Sequence, residues 1–399
     1  MNGWKKYNLE DLYTFSSGLS KPSTDFGFGY PFLTFKNVFQ NYFLPNQLTE
    51  TVNSTKKERE ILSIKRGDVF FTRTSETAEE LGMSSVALKD YPEATFNGFT
   101  KRLRPKNNTN IIPEFIGYYF RWNFFRANII SMSSETTRAS LNNSMLAQLP
   151  VFLPPLSEQC AIASVLSSLD DKIDLLHREN ATLEKMAETL FRQWFIEEAR
   201  DDWKEKKLGD IITISRGASP RPIVKYVKNG TVPWIKIADA TSSNSLFIEK
   251  TKEFIIEEGI SKSVEVFPGD LILSNSATCG LPCIVDIYGC IHDGWLLFRD
   301  FHILPKIYIL FLLKYIAIDL NQIADGSVQD NLNTNILKEY KTKIPPKYKI
   351  STFNSIADNI INKMQMNIKQ IYTLEKLRDT LLPKLMSGEV RVQYAEDAE

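Results

Sequence analysis

The chain has 399 residues, 43% of them hydrophobic and 12% aromatic, which is enough for packed cores in two or three domains. Its 48 Lys and Arg balance 48 Asp and Glu, a neutrality that excludes a uniformly basic coat for nucleic acid. No apolar run reaches the roughly 18 residues of a membrane span, and no signal-peptide core follows Met1–Lys6, so no membrane contact and a cytoplasmic location are expected.

The balance is uneven along the chain. Lys and Arg outnumber Asp and Glu by 18 to 14 in residues 1–150 and by 18 to 16 in residues 203–348, whereas residues 157–202 hold 5 against 11. Nucleic acid would therefore meet the two mildly basic segments and not the acidic one between them.

Residues 1–150 carry short β-rich runs, Val69-Phe70-Phe71-Thr72 and Ser85-Val86-Ala87-Leu88, with turns at Gly27, Gly67-Asp68 and Asn97-Gly98. These predict strands of a mixed sheet. From Pro113 to Ile130 the aromatics Phe115, Tyr118, Tyr119, Trp122 and Phe125 recur at helical spacing and predict a helix with a core-facing stripe. Positive charge gathers in Lys101-Arg102-Leu103-Arg104-Pro105-Lys106, at Arg73, and at Arg138 in the Ser/Thr-rich loop from Ser131 to Ser144. A short basic run is most often a solvated loop. Three such clusters beside hydroxyl-rich loops suit phosphate and base-edge contacts.

Pro154-Pro155 then limits a helix that starts near Ser157, where a cap and the charge of Glu158 favour it. Apolar residues recur in alternating steps of four and three: Ile162, Leu166, Leu169, Ile173, Leu176, then Asn180, then Leu183, Ala187, Leu190 and Trp194. This is a coiled-coil seam with one polar residue fixing its register. A lone helix would leave the stripe in water, so a partner helix is required.

A second copy supplies it. Shifting the chain by 191 residues lays Thr182-Leu183-Glu184-Lys185 on Thr373-Leu374-Glu375-Lys376, Leu141-Asn142 on Leu332-Asn333, and Pro154-Pro155 on Pro345-Pro346. Trp4, Leu9, Ser16 and Gly18 match Trp203, Leu208, Ser215 and Gly217, and Arg66-Gly67-Asp68-Val69 answers Pro268-Gly269-Asp270-Leu271. The drifting offset places insertions in loops, and so long a period means a duplicated domain-plus-helix unit, not a solenoid. The second copy carries Arg216, Arg221, Lys225 and Lys228 around a two-proline loop, then Trp234 and Lys236, the polar turn Ser274-Asn275-Ser276, and the loop Asp325–Asn331 with Gln329. Its seam reads Phe353, Ala357, Ile360, Met364, Asn367, Ile371, Leu374, Arg378, Leu381 and Leu385, in a helix running to about Met386, kinked or broken at Pro383 and stopped by Ser387-Gly388.

Catalytic patterns are missing. There is no Gly-rich nucleotide loop ending in Lys-Ser or Lys-Thr, and Leu153-Pro154-Pro155-Leu156 lacks the polar and aromatic members of an adenine methyltransferase motif. His177, His292 and His302 form neither a triad nor a metal spacing, and His292-Asp293-Gly294 reads as structure or DNA contact. Cys279, Cys283 and Cys290 with His292 match no common zinc pattern and read as buried free thiols, with Cys160 structural.

The phrase Leu153-Pro154-Pro155-Leu156-Ser157-Glu158-Gln159, with Ile162-Ala163, Leu169-Asp170-Asp171-Lys172-Ile173 and Leu190-Phe191-Arg192-Gln193-Trp194-Phe195, closely resembles the conserved region of specificity subunits of type I restriction-modification systems. So does Leu377-Arg378-Asp379-Thr380-Leu381-Leu382-Pro383-Lys384-Leu385-Met386-Ser387-Gly388-Glu389. The start of the second helix departs from the pattern, Pro345-Pro346 being followed by Lys347-Tyr348 without the Glu-Gln pair.

The resemblance implies an α+β chain: two globular α/β target-recognition domains related by internal repeat, separated by two long helices in an antiparallel coiled coil. The expected boundaries are 1–152 and 201–344 for the recognition domains, 153–200 and 345–390 for the helices, and 391–399 for a flexible acidic tail. It also implies a subunit without catalytic residues or a cofactor of its own. Its partners would be double-stranded DNA, two methyltransferase subunits, and motor-nuclease subunits, and these proteins would bind S-adenosylmethionine, ATP and Mg. Some thirty-five helical residues make a rod of roughly 50 Å, enough to hold two reading heads about one duplex turn apart. A bipartite, asymmetric target with an unread spacer follows. Candidate DNA contacts are Arg73, Lys101, Arg102, Arg104 and Arg138 in the first head, and Arg216, Arg221, Lys225, Asn275 and Gln329 in the second. On sequence alone a protein–protein adaptor, or a relic subunit that reads no DNA, stays open.

Overall fold

A computed structural model of the chain describes residues 3–73, 80–107, 109–133, 141–243, 245–276, 278–325, 332 and 334–392, with main chain only at residues 133 and 318–325. Arg138, Gln329 and all of the acidic tail beyond Val392 lie outside the described residues. The chain divides into two compact units, one made of residues 1–175 and 371–399, the other of residues 176–370.

The first unit contains β1 (Lys5–Asn8), β2 (Tyr13–Ser17), β3 (Phe26–Leu33), β4 (Thr51–Val52), β5 (Val69–Thr72), β6 (Ser84–Val86), β7 (Thr95–Phe96), β8 (Thr100–Pro105) and β9 (Pro150–Leu153). Antiparallel β2-β8-β5-β6 forms one sheet, β4-β3-β7 with a parallel β3·β7 pair forms another, and β1 closes on β9. Every residue of β5 is buried, as its unbroken β-branched and aromatic run leads one to expect.

The second unit repeats this plan with β10 (Lys204–Lys207), β11 (Thr213–Arg216), β12 (Val232–Ile235), β13 (Phe247–Ile248), β14 (Phe254–Ile255), β15 (Val264–Val266), β16 (Leu271–Ser274), β17 (Pro282–Val285), β18 (Gly289–Ile291), β19 (Trp295–Arg299) and β20 (Lys341–Ile344). Its sheets run β11-β19-β16-β17-β13 and β14-β12-β18-β15, and β10 closes on β20. Thus β11, β19, β16 and β17 correspond to β2, β8, β5 and β6.

One turn shows how closely the copies agree. Gly67 and Gly269 both take positive φ (87° and 96°) and lead into β5 and β16. The following Asp68 and Asp270 each accept the amide of the residue three positions earlier, at 2.8 and 3.0 Å. Each carboxylate is then gripped by an arginine at the far end of the neighbouring strand, Arg104 (2.8 and 2.6 Å) or Arg299 (3.5 and 2.6 Å).

The predicted aromatic helix is two: Pro113–Tyr119 and Asn123–Ser133, joined by a bend. Phe115, Tyr118, Tyr119, Trp122 and Phe125 are all buried, so the stripe is core. The long helices are α1 (Leu156–Arg192), which runs on into a π turn (Gln193–Glu197), and α2 (Lys347–Ser387). Of the kink or break expected at Pro383, the break does not occur: α2 runs through Pro383 to Ser387. Burial of the neighbouring Leu382, Leu385 and Met386 with Ile162 and Leu166 of α1 outweighs the lost backbone donor. Gly388 ends the helix at φ 76°, with its N–H donated to the Leu385 carbonyl.

Within each unit the two helices run antiparallel. In the first, Arg378 of α2 pairs with Asp170 of α1 at 2.7 Å, and Tyr118 donates to the same carboxylate at 2.6 Å. In the second, the seam asparagines meet: Asn367 Nδ2 donates to Asn180 Oδ1 at 2.8 Å, and Asn180 Nδ2 donates to the Met364 carbonyl at 3.2 Å. Ile162, Leu166, Ile173, Leu176, Met364, Asn367 and Ile371 are buried, while Leu169, Asn180, Leu183 and Leu374 are half-buried. Antiparallel pairing explains why Asn367 stands four residues from the place a simple shift of Asn180 would give. It must face Asn180, not mirror it.

Candidate nucleic-acid interface

In the second unit, the ends of β11, β16 and β18 and the start of β19 meet at one corner. Arg216 closes β11, Ser274 closes β16, and the turn His292-Asp293-Gly294 joins β18 to β19. The chain must pass very closely here: a Cβ on Gly217 would stand 2.1 Å from the His292 carbonyl oxygen. Glycine is therefore required by space.

Asp293 is the hub of this corner. Its carbonyl oxygen accepts from Arg216 Nε at 2.8 Å and from Asn275 Nδ2 at 3.1 Å. Its carboxylate accepts from Ser219 Oγ at 2.6 Å and from an Arg221 terminal nitrogen at 3.3 Å. The Ser219 hydrogen bond holds the Asp293 carboxyl below its ordinary pKa, with Arg221 adding to the effect. His292 is held neutral by burial, and its Nδ1 accepts the Gly294 N–H at 2.9 Å. Asn275 is 1% exposed, and its Oδ1 has no partner among the described residues. Arg216 and Arg221 are exposed, the latter with 73% of its side chain in solvent. The result is a pair of guanidinium groups held at their inner edges by one turn.

The first unit builds the same corner with other side chains. Arg73 takes the place of Asn275: its N–H is donated to the Phe99 carbonyl and its carbonyl accepts from Leu141 N, as Asn275 does with Gly294 and Leu332. Thr72 Oγ1 and Ser274 Oγ each accept an amide from the returning strand, Met83 or Leu281, at 2.9 Å. Gly18 lies under the Asn97 carbonyl, where a Cβ would come within 2.2 Å. In the turn, Asn97-Gly98-Phe99 replaces His292-Asp293-Gly294, and Phe99 is 63% exposed.

The sequence-predicted contacts fall into three groups. Arg216, Arg221 and Asn275 meet at the Asp293 corner, Lys225 is exposed on the one-turn helix Val224–Val227 close by in sequence, and Arg73 holds the matching corner of the first unit. Arg138 and Gln329 lie outside the described residues. Lys101, Arg102 and Arg104 are corrected. They do not sit in a basic loop but on β8, at the inner position of its sheet.

Lys101 is buried with its Nζ on Ser17 Oγ (2.8 Å) and Asn143 Oδ1 (2.9 Å), and that burial lowers its pKa. Arg102 is buried on the Ile61 and Ser63 carbonyls at 3.3 and 2.5 Å, its pKa pushed down to about 10 by desolvation. Arg104 clamps Asp68, whose hydrogen bond raises its pKa. These cations are spent inside the framework. Asp293 lies in the turn His292-Asp293-Gly294 that reads in the sequence as structure or DNA contact, whereas Ser219, which holds its carboxylate, has no spacing that marks it.

The family model described as the type I restriction modification DNA specificity domain matches residues 1–185 and again residues 200–376. The chain belongs to this family of specificity subunits. It is 25% identical over 422 aligned positions to the type I restriction enzyme MjaIX specificity subunit of Methanocaldococcus jannaschii, with 98% of this chain and 94% of the relative covered. It is 24% identical over 481 positions to the HindI specificity subunit of Haemophilus influenzae, covering 98% and 100% of the two chains. Among solved structures, the S subunit of a type I restriction-modification system from M. genitalium superposes with a TM-score of 0.56 at 15% identity and 96% coverage of both chains, a likeness of fold.

Proposed function

We propose that this specificity subunit reads a bipartite, asymmetric DNA sequence without catalysing any reaction itself. Each recognition domain reads one half-site through its own corner. The observation that carries this is the pairing of a shared framework with unlike corners: equivalent backbone bonds join Arg73 to Phe99 in one copy and Asn275 to Gly294 in the other, where side-chain bonds also gather Arg216, Arg221 and Asn275 on Asp293. A stable scaffold presenting different donors is what two different half-sites need. Arg216 and Arg221 suit guanine edges, Lys225 suits phosphate, and Arg73 belongs to the first reading surface.

The helix pair sets the spacer and docks two methyltransferase subunits, which bind S-adenosylmethionine. Motor-nuclease subunits, using ATP and Mg, complete the assembly in the cytoplasm. Among the described residues no three His, Cys, Asp or Glu side chains gather as a metal site, and no helix is long and apolar enough to cross a membrane.

The test is to co-express the chain with its methyltransferase subunit and map methylated adenines across the host DNA by long-read sequencing. A two-part motif with a constant gap is expected. A stable complex that methylates nothing would instead leave an adaptor without DNA reading.

A further inference from the structure

We infer that Arg216 is the residue that selects a guanine in the half-site read by the second domain, and that Asn275 and the Asp293 main chain are there to aim it. The inference rests on the DNA-reading role proposed above. It adds the base, the residue and the positioning device.

Arg216 stands at the last position of β11 with its Nε donated to the Asp293 carbonyl at 2.8 Å. That bond fixes the plane of the guanidinium while leaving both terminal nitrogens without a partner among the described residues. Two parallel N–H donors on a fixed plane match the O6 and N7 acceptors that guanine shows in the major groove, and no other base offers that pair. The aiming carbonyl is itself held. Asn275, almost wholly buried, donates to it at 3.1 Å, and the Asn275 N–H is donated to the Gly294 carbonyl on the far side of the turn.

A surface arginine used only for phosphate needs no such alignment, because a phosphate accepts a charge from many directions. Arg221 differs in this respect: it is bonded through one terminal nitrogen, which leaves its plane unfixed, and acts as a charge beside the fork. The equivalent position in the first unit is Ser17, whose hydroxyl accepts from Lys101. That copy therefore has a serine, not an arginine, at this position and carries its corner arginine, Arg73, at the end of β5 instead, so the two half-sites are read unlike at this point.

The experiment uses the complex of the full chain with its methyltransferase subunit, comparing wild type, Arg216→Gln and Asn275→Leu by methylome sequencing. Arg216→Gln changes an exposed side chain and is expected to fold. We expect one guanine of the second half-site to become degenerate, its discrimination falling roughly ten- to a hundred-fold, with the first half-site and the spacer unchanged. Asn275→Leu, which keeps the side-chain volume and removes the donor, relaxes the same guanine more weakly and no other position, a pattern that mere loss of stability would not produce.

If methylation by Arg216→Gln is too weak to map, competition at low salt between duplexes differing only at that guanine decides: equal binding supports the assignment and retained preference overturns it. An unchanged motif with uniformly weaker binding and a shallower salt dependence makes Arg216 a phosphate contact and overturns it. A wild-type complex that yields no bipartite motif overturns the DNA-reading role, and this inference with it.

Discussion

Arg104 and Asp68 show how charge in a sequence misleads when its partner is far away. The basic run 101–106 looks like a surface because its neighbours in sequence offer no counter-charge, yet Asp68 lies across the sheet and is wholly buried. A signal was available in the repeat. Asp68 and Arg104 recur as Asp270 and Arg299, and residues kept as a pair in both copies serve the common framework, not the differing target. Arg104→Ala would strand the buried carboxylate and is expected to lower the unfolding free energy by about 3 kcal/mol, measured by urea denaturation. His292 gives a pH prediction of defined sign. Burial holds its folded pKa below the ordinary 6.5, so the unfolded chain binds the proton first and stability is lost as pH falls below about 6.5. Protonation would also cost the Gly294 N–H its acceptor. Thermal unfolding followed from pH 7 to 5 should decline more steeply for wild type than for His292→Gln.

Elements were more legible than contacts. Alternating four- and three-residue steps identified both long helices, and the one polar break in the first seam signalled register. Where that break would find its partner was not readable, because a repeat reports equivalence and says nothing of direction. The Asn180–Asn367 hydrogen bond supplies the direction. Asn367→Leu alone leaves the Asn180 carbonyl unpartnered and is expected to cost about 1 kcal/mol, whereas the double leucine variant recovers that stability and admits shifted pairings. Melting curves measure the first effect, and disulfide trapping between cysteines placed on the two helices measures the second. Pro383 was overvalued for a related reason: an intrinsic helix penalty is read from sequence, but the burial that overrides it is not.

For the whole molecule, the duplicated plan was readable from matched phrases at drifting offsets, while the reading corners were not, since three segments distant in sequence build each one. If the helix pair is the ruler of the proposed bipartite target, seven residues added to each helix, beside Asn180 and Asn367, lengthen it by about 10 Å and keep its phase. Methylome sequencing should then show the spacer longer by up to about three base pairs with both half-sites intact. A change in the half-site bases instead would separate the helices from spacing.

The division of the chain also has a consequence for its biosynthesis. The first unit draws its last segment from residues 371–399, so the amino-terminal head, though made first, waits on the ribosome for the carboxyl-terminal residues that cover Ile162 and Leu166. The unit of residues 176–370 is continuous and faces no such delay. The nascent chain is thus expected to complete its middle before its beginning, and a chain that loses its last turns leaves its first head with an open flank. Pulse proteolysis should find the second unit protected on stalled nascent chains while the first is still being cut, with protection of the first arriving only once Leu385 and Met386 are free of the ribosome.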